Sequence, residues 1–137
     1  VCYLAEHPTP LVERQAREWG PWRDWAAREM GVVLEPVEGI VHRQQSPDAI
    51  AKVKAYALSL DDFRLTGLAT AVPLLGSAVL ALAVEQGALD GGAAFDLSRI
   101  DELFQEEQWG VDAEAAERTE ARRAEAQLLD RWFRALD

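Results

Sequence analysis

Basic residues are scarce in this chain of 137 residues: 14 Lys and Arg stand against 24 Asp and Glu, for a net charge of −10. Nucleic-acid binding draws on clustered cations that displace counterions from the phosphate backbone, and no such cluster is present. The same charge repels anionic lipid and favours solubility, and it suits a basic protein partner without identifying one. Cysteine is nearly absent. Cys2 is the sole one, so an internal disulfide is impossible and a secreted disulfide scaffold is excluded. Only two histidines occur, His7 and His42, and neither sits in a helical pair with metal-ligand spacing. His42 lies in a polar stretch, where an imidazole is ordinarily just exposed.

Enzyme motifs are missing as well. The glycines of GALDGGAAF lack the strand, Lys and Ser/Thr of a phosphate loop, and there is no GxSxG elbow. Acid pairs are plentiful: Asp61 with Asp62, Asp101 with Glu102, Glu106 with Glu107. Neighbours on a helix diverge by about 100°, so these pairs do not face one another, and solvated helix surface explains them better than acid/base chemistry. No catalytic residue, metal site or cofactor is expected. The chain opens on Val1 and VCYLAEHP with no basic-then-apolar leader, and is expected to be part of a longer protein.

What is present is helix patterning. Pro8 and Pro10 open a helix expected to run to about Trp19, with Leu11, Gln15 and Trp19 on one face. Gly20-Pro21 is expected to break it, and a second helix follows from Pro21 to Met30, stopped by Gly31. The β-branched run Val32–Val41 predicts a short extended segment or hairpin near residues 32–41. Ser46-Pro47-Asp48 starts a helix to about Leu58, with Ile50, Val53 and Ala57 at helical spacing. Leu65 to Val84 carries no charge, but Thr66, Thr70, Ser77, Gly76 and Pro73 argue for two buried core helices meeting near Pro73 and against a membrane span. A patterned helix is expected over Ala93–Trp109, stopped by Gly110, and a last one from Asp112 to Leu136 with an apolar stripe of Ala121, Ala124, Leu128, Trp132 and Leu136. The fold class is therefore mainly α: a compact multi-helix domain spanning residues 1–137.

Tryptophan is overused, at five in 137 residues. Trp19 and Trp25 read as core. Trp109 follows the acidic and amide-rich run QEEQ at the end of a helix, where a partly wet indole is a common anchor for a protein partner. Leu97, Ile100 and Phe104 point to the core, whereas Asp101, Gln105, Gln108 and Trp109 follow one another along a different face that mixes an acid, two amides and an indole.

These residues carry a resemblance. DDFRLTGL, GSAVLALAVEQG and LSRIDELFQEEQWG, with a close of Gln105-x-x-x-Trp109-Gly110, resemble the ATP synthase F-one assembly chaperone family, the chaperones specific for the alpha subunit. YLAEHPTPLVERQAREWGPWRDWAAREMG and VEGIVH extend the likeness upstream, in collinear order over nearly the whole chain. The resemblance implies the helical C-terminal domain alone, the family's small β-rich N-terminal domain being absent from this chain. It implies a non-enzymatic monomer that binds the unassembled alpha subunit and prevents its aggregation until the beta subunit replaces it. The compartment is the cytoplasm in bacteria, favoured by the Ala/Arg/Glu-rich tail, or the mitochondrial matrix in eukaryotes. Client binding falls to Asp101 or Glu102 as the acid, Gln105 and Gln108 as amides and Trp109 as the anchor, while Asp62 and Arg64 read as a cap and a structural ion pair. Glu106 departs from the aliphatic residue the family pattern expects. The competing readings are a small-molecule hydrolase or transferase with an unrecognised carboxylate site, and a membrane-associated domain using Leu65–Val84.

Overall fold

The computed structural model describes residues 1–39 and 42–137 and divides into two compact units, Val1–Asp61 and Asp62–Asp137. The fold is mainly helical, as expected.

The first unit contains β1 (Tyr3–Leu4), α1 (Thr9–Met30), β2 (Val37–Glu38) and α2 (Pro47–Ser59). The expected break at Gly20-Pro21 does not occur, and α1 runs through Pro21 as one helix of 22 residues. A mid-helix proline loses a hydrogen bond and crowds the carbonyl four residues back. Here Leu11, Gln15, Trp19 and Ala26 continue one buried face across it, with Trp25 beside them, and that packing outweighs the local defect. The Gln15 side chain is buried, and its Oε1 accepts the Ala5 N–H at 2.7 Å. Trp22 meets Trp25 edge-on at 5.9 Å. Gly31 ends the helix at φ 66°, and the Val32 N–H reaches back to the Ala26 carbonyl while the Val32 side chain is buried.

No hairpin forms among the described residues near 32–41. Val37–Glu38 instead pairs in parallel with Tyr3–Leu4, in register Tyr3 with Val37 and Leu4 with Glu38. A parallel pair needs a long crossover, and α1 supplies it. Ile40 and Val41, which the sequence reading included, lie outside the described residues. In α2 the Ser46 hydroxyl caps the start by accepting the Ala49 N–H at 3.1 Å. Ala49 is the buried residue of α2, whereas Ile50, at helical spacing with Val53 and Ala57, is exposed.

The second unit contains α3 (Asp62–Leu75), α4 (Ala78–Glu85), α5 (Gly91–Ser98), α6 (Ile100–Trp109) and α7 (Ala113–Leu136). The uncharged stretch divides into α3 and α4, but not at Pro73, which lies inside α3. The turn comes at Gly76, with φ 61°, and Ser77 caps α4 by accepting the Leu80 N–H. Every residue from Val79 to Glu85 is buried, so α4 is the central helix, apolar all round except for its last residue. Among the described residues no helix is long and apolar enough to cross a membrane.

The single helix expected over 93–109 is two. Asp90 caps α5, and Arg99 leaves helical geometry at φ −110° and ψ 20°. The Ser98 hydroxyl takes the Phe95 carbonyl at 2.6 Å just before the break, a local bond that competes with the helix ladder. At Gly91 a Cβ would lie 2.0 Å from the Ala126 carbonyl oxygen, so α5 and α7 touch backbone to backbone. Asp112 caps α7 by accepting the Ala115 N–H at 2.7 Å, as expected. Its core face differs from the expected stripe. Ala126, Asp130 and Phe133 are buried, while Ala121, Ala124, Leu128, Trp132 and Leu136 face outward. Asp130 sits on the inner face because Arg134, one turn on, neutralises it.

Candidate functional site

The five residues expected to meet a client all lie on α6. The Leu103 N–H bonds the Arg99 carbonyl at 2.7 Å and starts the helix; Asp101 and Glu102 stand in its first turn, where acids suit the helix dipole. Ile100 is buried and anchors the element, with Leu103 and Phe104 half-buried behind it. Gly110, at φ 80°, stops the helix directly after Trp109.

Asp101, Glu102, Gln105, Gln108 and Trp109 are all exposed. At 100° per residue they span about 120° of the helix circumference, so the structure brings the whole set onto one side. Trp109 is 84% exposed, the highest value among the large apolar side chains left in solvent among the described residues. A core role for this indole is thereby excluded.

Glu102 also lines a cleft of about 420 Å³ together with Phe95, Arg99, Glu106, Arg118 and Arg122. Glu106, the departure from the family's aliphatic residue, is held by Arg99: Nη2 donates to Oε1 at 2.7 Å, with both side chains largely covered. Arg99 in turn lies 5.9 Å over the Phe95 ring. The acid at 106 thus has a local partner across the α5–α6 joint and leaves the exposed face to the other five. Among the described residues no three His, Cys, Asp or Glu stand close enough to share a metal ion.

Asp62 and Arg64 lie away from α6, on α3. Arg64 Nε donates to Glu85 Oε1 at 2.9 Å, Nη2 to the Glu85 carbonyl at 2.9 Å and Nη1 to Asp137 Oδ1 at 2.7 Å. The hydrogen bonds to Glu85 and then Asp137 raise its pKa further, so the guanidinium is a fixed charge tying α3, the end of α4 and the C-terminal residue together. His42 receives or gives a hydrogen bond at Nδ1 with the Tyr3 hydroxyl, 3.1 Å away, and both are exposed. Burial pushes the Cys2 thiol up from its ordinary range, which makes a reactive thiolate unfavourable there.

No family model matches the chain. It is 23% identical over 115 residues to the mitochondrial protein atp12 of Schizosaccharomyces pombe, covering 82% of this chain and 40% of that protein. It is 41% identical to the crystal structure of Atp12 from Paracoccus denitrificans, with a TM-score of 0.93, over 97% of this chain and 57% of that one. The Atu1473 protein of Agrobacterium tumefaciens, provisionally assigned as a chaperone, is 38% identical with a TM-score of 0.85, over 99% of this chain and 51% of that one. The chain therefore spans about half the length of these relatives. At 41% identity along nearly all of its own length, on a matching fold, the chain is similar to the corresponding part of the Atp12 proteins.

Proposed function

We propose that the chain acts as the client-holding part of a non-enzymatic assembly chaperone. It binds the unassembled alpha subunit of the ATP synthase catalytic head and keeps it from aggregating until the beta subunit replaces it. The compartment that goes with this reading is the bacterial cytoplasm. Similarity to the Atp12 proteins supports the class of function, and the exposed Trp109 beside Asp101, Glu102, Gln105 and Gln108 is the observation that carries the site. An indole offers a large rigid apolar area, and the surrounding carboxylates and amides answer polar groups on a client's open edge.

Co-expression with the alpha and beta subunits, separately, followed by pull-down on the tagged chain tests this. Recovery of alpha without beta is the expected result; equal recovery of both, or of neither, contradicts it. Within the same assay, Asp101→Lys or Glu102→Lys should reduce alpha recovery more than the corresponding change to Ala. Charge reversal sets like charges together, whereas truncation removes only the attraction.

A further inference from the structure

Four large apolar side chains stand in solvent along the start of α3 and the second half of α7: Phe63 is 63% exposed, Leu128 57%, Trp132 41% and Leu136 36%. A recess of about 360 Å³ opens between Gly67 on α3 and Glu125, Leu128 and Trp132 on α7. It shares no lining residue with the α6 face or the cleft beside it. Its walls are built. The Trp132 Nε1 donates to the Phe63 carbonyl at 3.0 Å, and the two rings lie 6.5 Å apart, so the indole is held in place while part of it faces solvent. At Gly67 a Cβ would come within 2.6 Å of the Phe133 ring and 2.9 Å of Trp132. Glycine there lets the two aromatic side chains of α7 lie against α3.

A contiguous apolar patch of this kind on a soluble surface marks a docking site, and a recess between two helices suits the apolar face of a partner helix. Glu125 is the one ionisable residue lining the recess, it makes no ion pair among the described residues, and the chain as a whole carries −10. We infer that this groove docks an amphipathic helical segment of a protein partner, which sets an aliphatic side chain between Leu128 and Trp132 and a Lys or Arg against Glu125. The inference rests on the chaperone reading only for the source of that segment, the client; the chemistry of the segment follows from the groove.

The test uses the full chain and a roughly 14-residue synthetic amphipathic helix of Leu and Lys, with a Leu/Glu helix as its counterpart, read by fluorescence anisotropy. The Leu/Lys peptide should bind saturably and the Leu/Glu peptide should not. Leu128→Asp should weaken Leu/Lys binding about tenfold or more, although it adds a negative charge that would strengthen a purely electrostatic association. Glu125→Lys should weaken it several-fold, and Trp109→Ala should leave it unchanged. Leu128→Ser, read alongside, separates lost apolar contact from a misfolded variant. Unchanged or tighter binding by folded Leu128→Asp overturns the inference. So does a wild-type dimer in sedimentation that Leu128→Asp turns monomeric, or wild-type binding to neutral phosphatidylcholine vesicles, since either gives the groove a different occupant. Failure of wild-type chain to capture the alpha subunit sinks the chaperone reading and leaves the peptide result standing.

Discussion

Leu80→Ala should lower the free energy of unfolding by about 2–5 kcal/mol. Leu80 has no exposed surface, and it sits in a helix whose neighbouring residues, Val79 to Val84, are all buried. Truncation removes the transfer energy of the lost carbons and leaves a cavity that packed helices can close only in part. The consequence for function is indirect. Helix α4 is the element that α3, α5 and α7 surround, so loosening it blurs the scaffold from which α6 extends. A urea titration followed by circular dichroism measures the effect, and an unchanged midpoint would show that the site is not core.

Arg64→Ala should cost about 3–5 kcal/mol for a different reason. Glu85 is 3% exposed at the end of α4, and Arg64 supplies both the guanidinium that bonds its carboxylate and the donor for its carbonyl. Removing the cation leaves a buried anion without that partner, which costs more than the pair itself contributes. The contact of Arg64 with Asp137 adds little, because the Asp137 side chain is 67% exposed. The Arg64 guanidinium also lies 5.8 Å over the Phe133 ring, so its loss opens space at the α3–α7 contact. The double variant Arg64→Met with Glu85→Leu should recover most of the loss, since neither charge of the pair then remains buried. A single variant as stable as wild type in the same titration would contradict the clamp.

The sequence reading succeeded where a local signal had no rival. Ser46, Asp112, Gly31 and Gly110 punctuate helices by their own chemistry, as a capping oxygen or a residue with positive φ. Leu11, Gln15 and Trp19 keep helical spacing and are buried together. The candidate face on α6 was legible for the same reason, because Asp101, Gln105 and Trp109 are placed by helical spacing whatever the helix rests on. The reading failed where tertiary packing overrides a local rule. Pro21 and Pro73 sit inside helices whose breaks were expected at or beside them, because burial on either side holds the helix. No glycine or proline marks the break at Arg99, so no local signal announces it. The face of α7 is the reverse of the expected one, because apolar content does not by itself mean inward. The helix buries Asp130 with Ala126 and Phe133, and leaves Leu128 and Trp132 outside, where they border the groove. Val37–Glu38 found its partner at Tyr3–Leu4, far upstream in sequence, which no hairpin signal could announce.

The central claim is that the exposed face of α6 holds the client, and Trp109→Ala tests it most directly. The indole is 84% exposed and leaves the core untouched, so the variant should unfold within about 0.5 kcal/mol of wild type. A central anchor lost from an interface costs about 2 kcal/mol or more, roughly a thirtyfold loss of affinity. The measurement is thermal melting of Trp109→Ala alongside recovery of the co-expressed alpha subunit on the folded variant. A melting temperature near that of wild type with alpha recovery reduced to background is the predicted result; a lowered melting temperature with alpha still fully retained would contradict it.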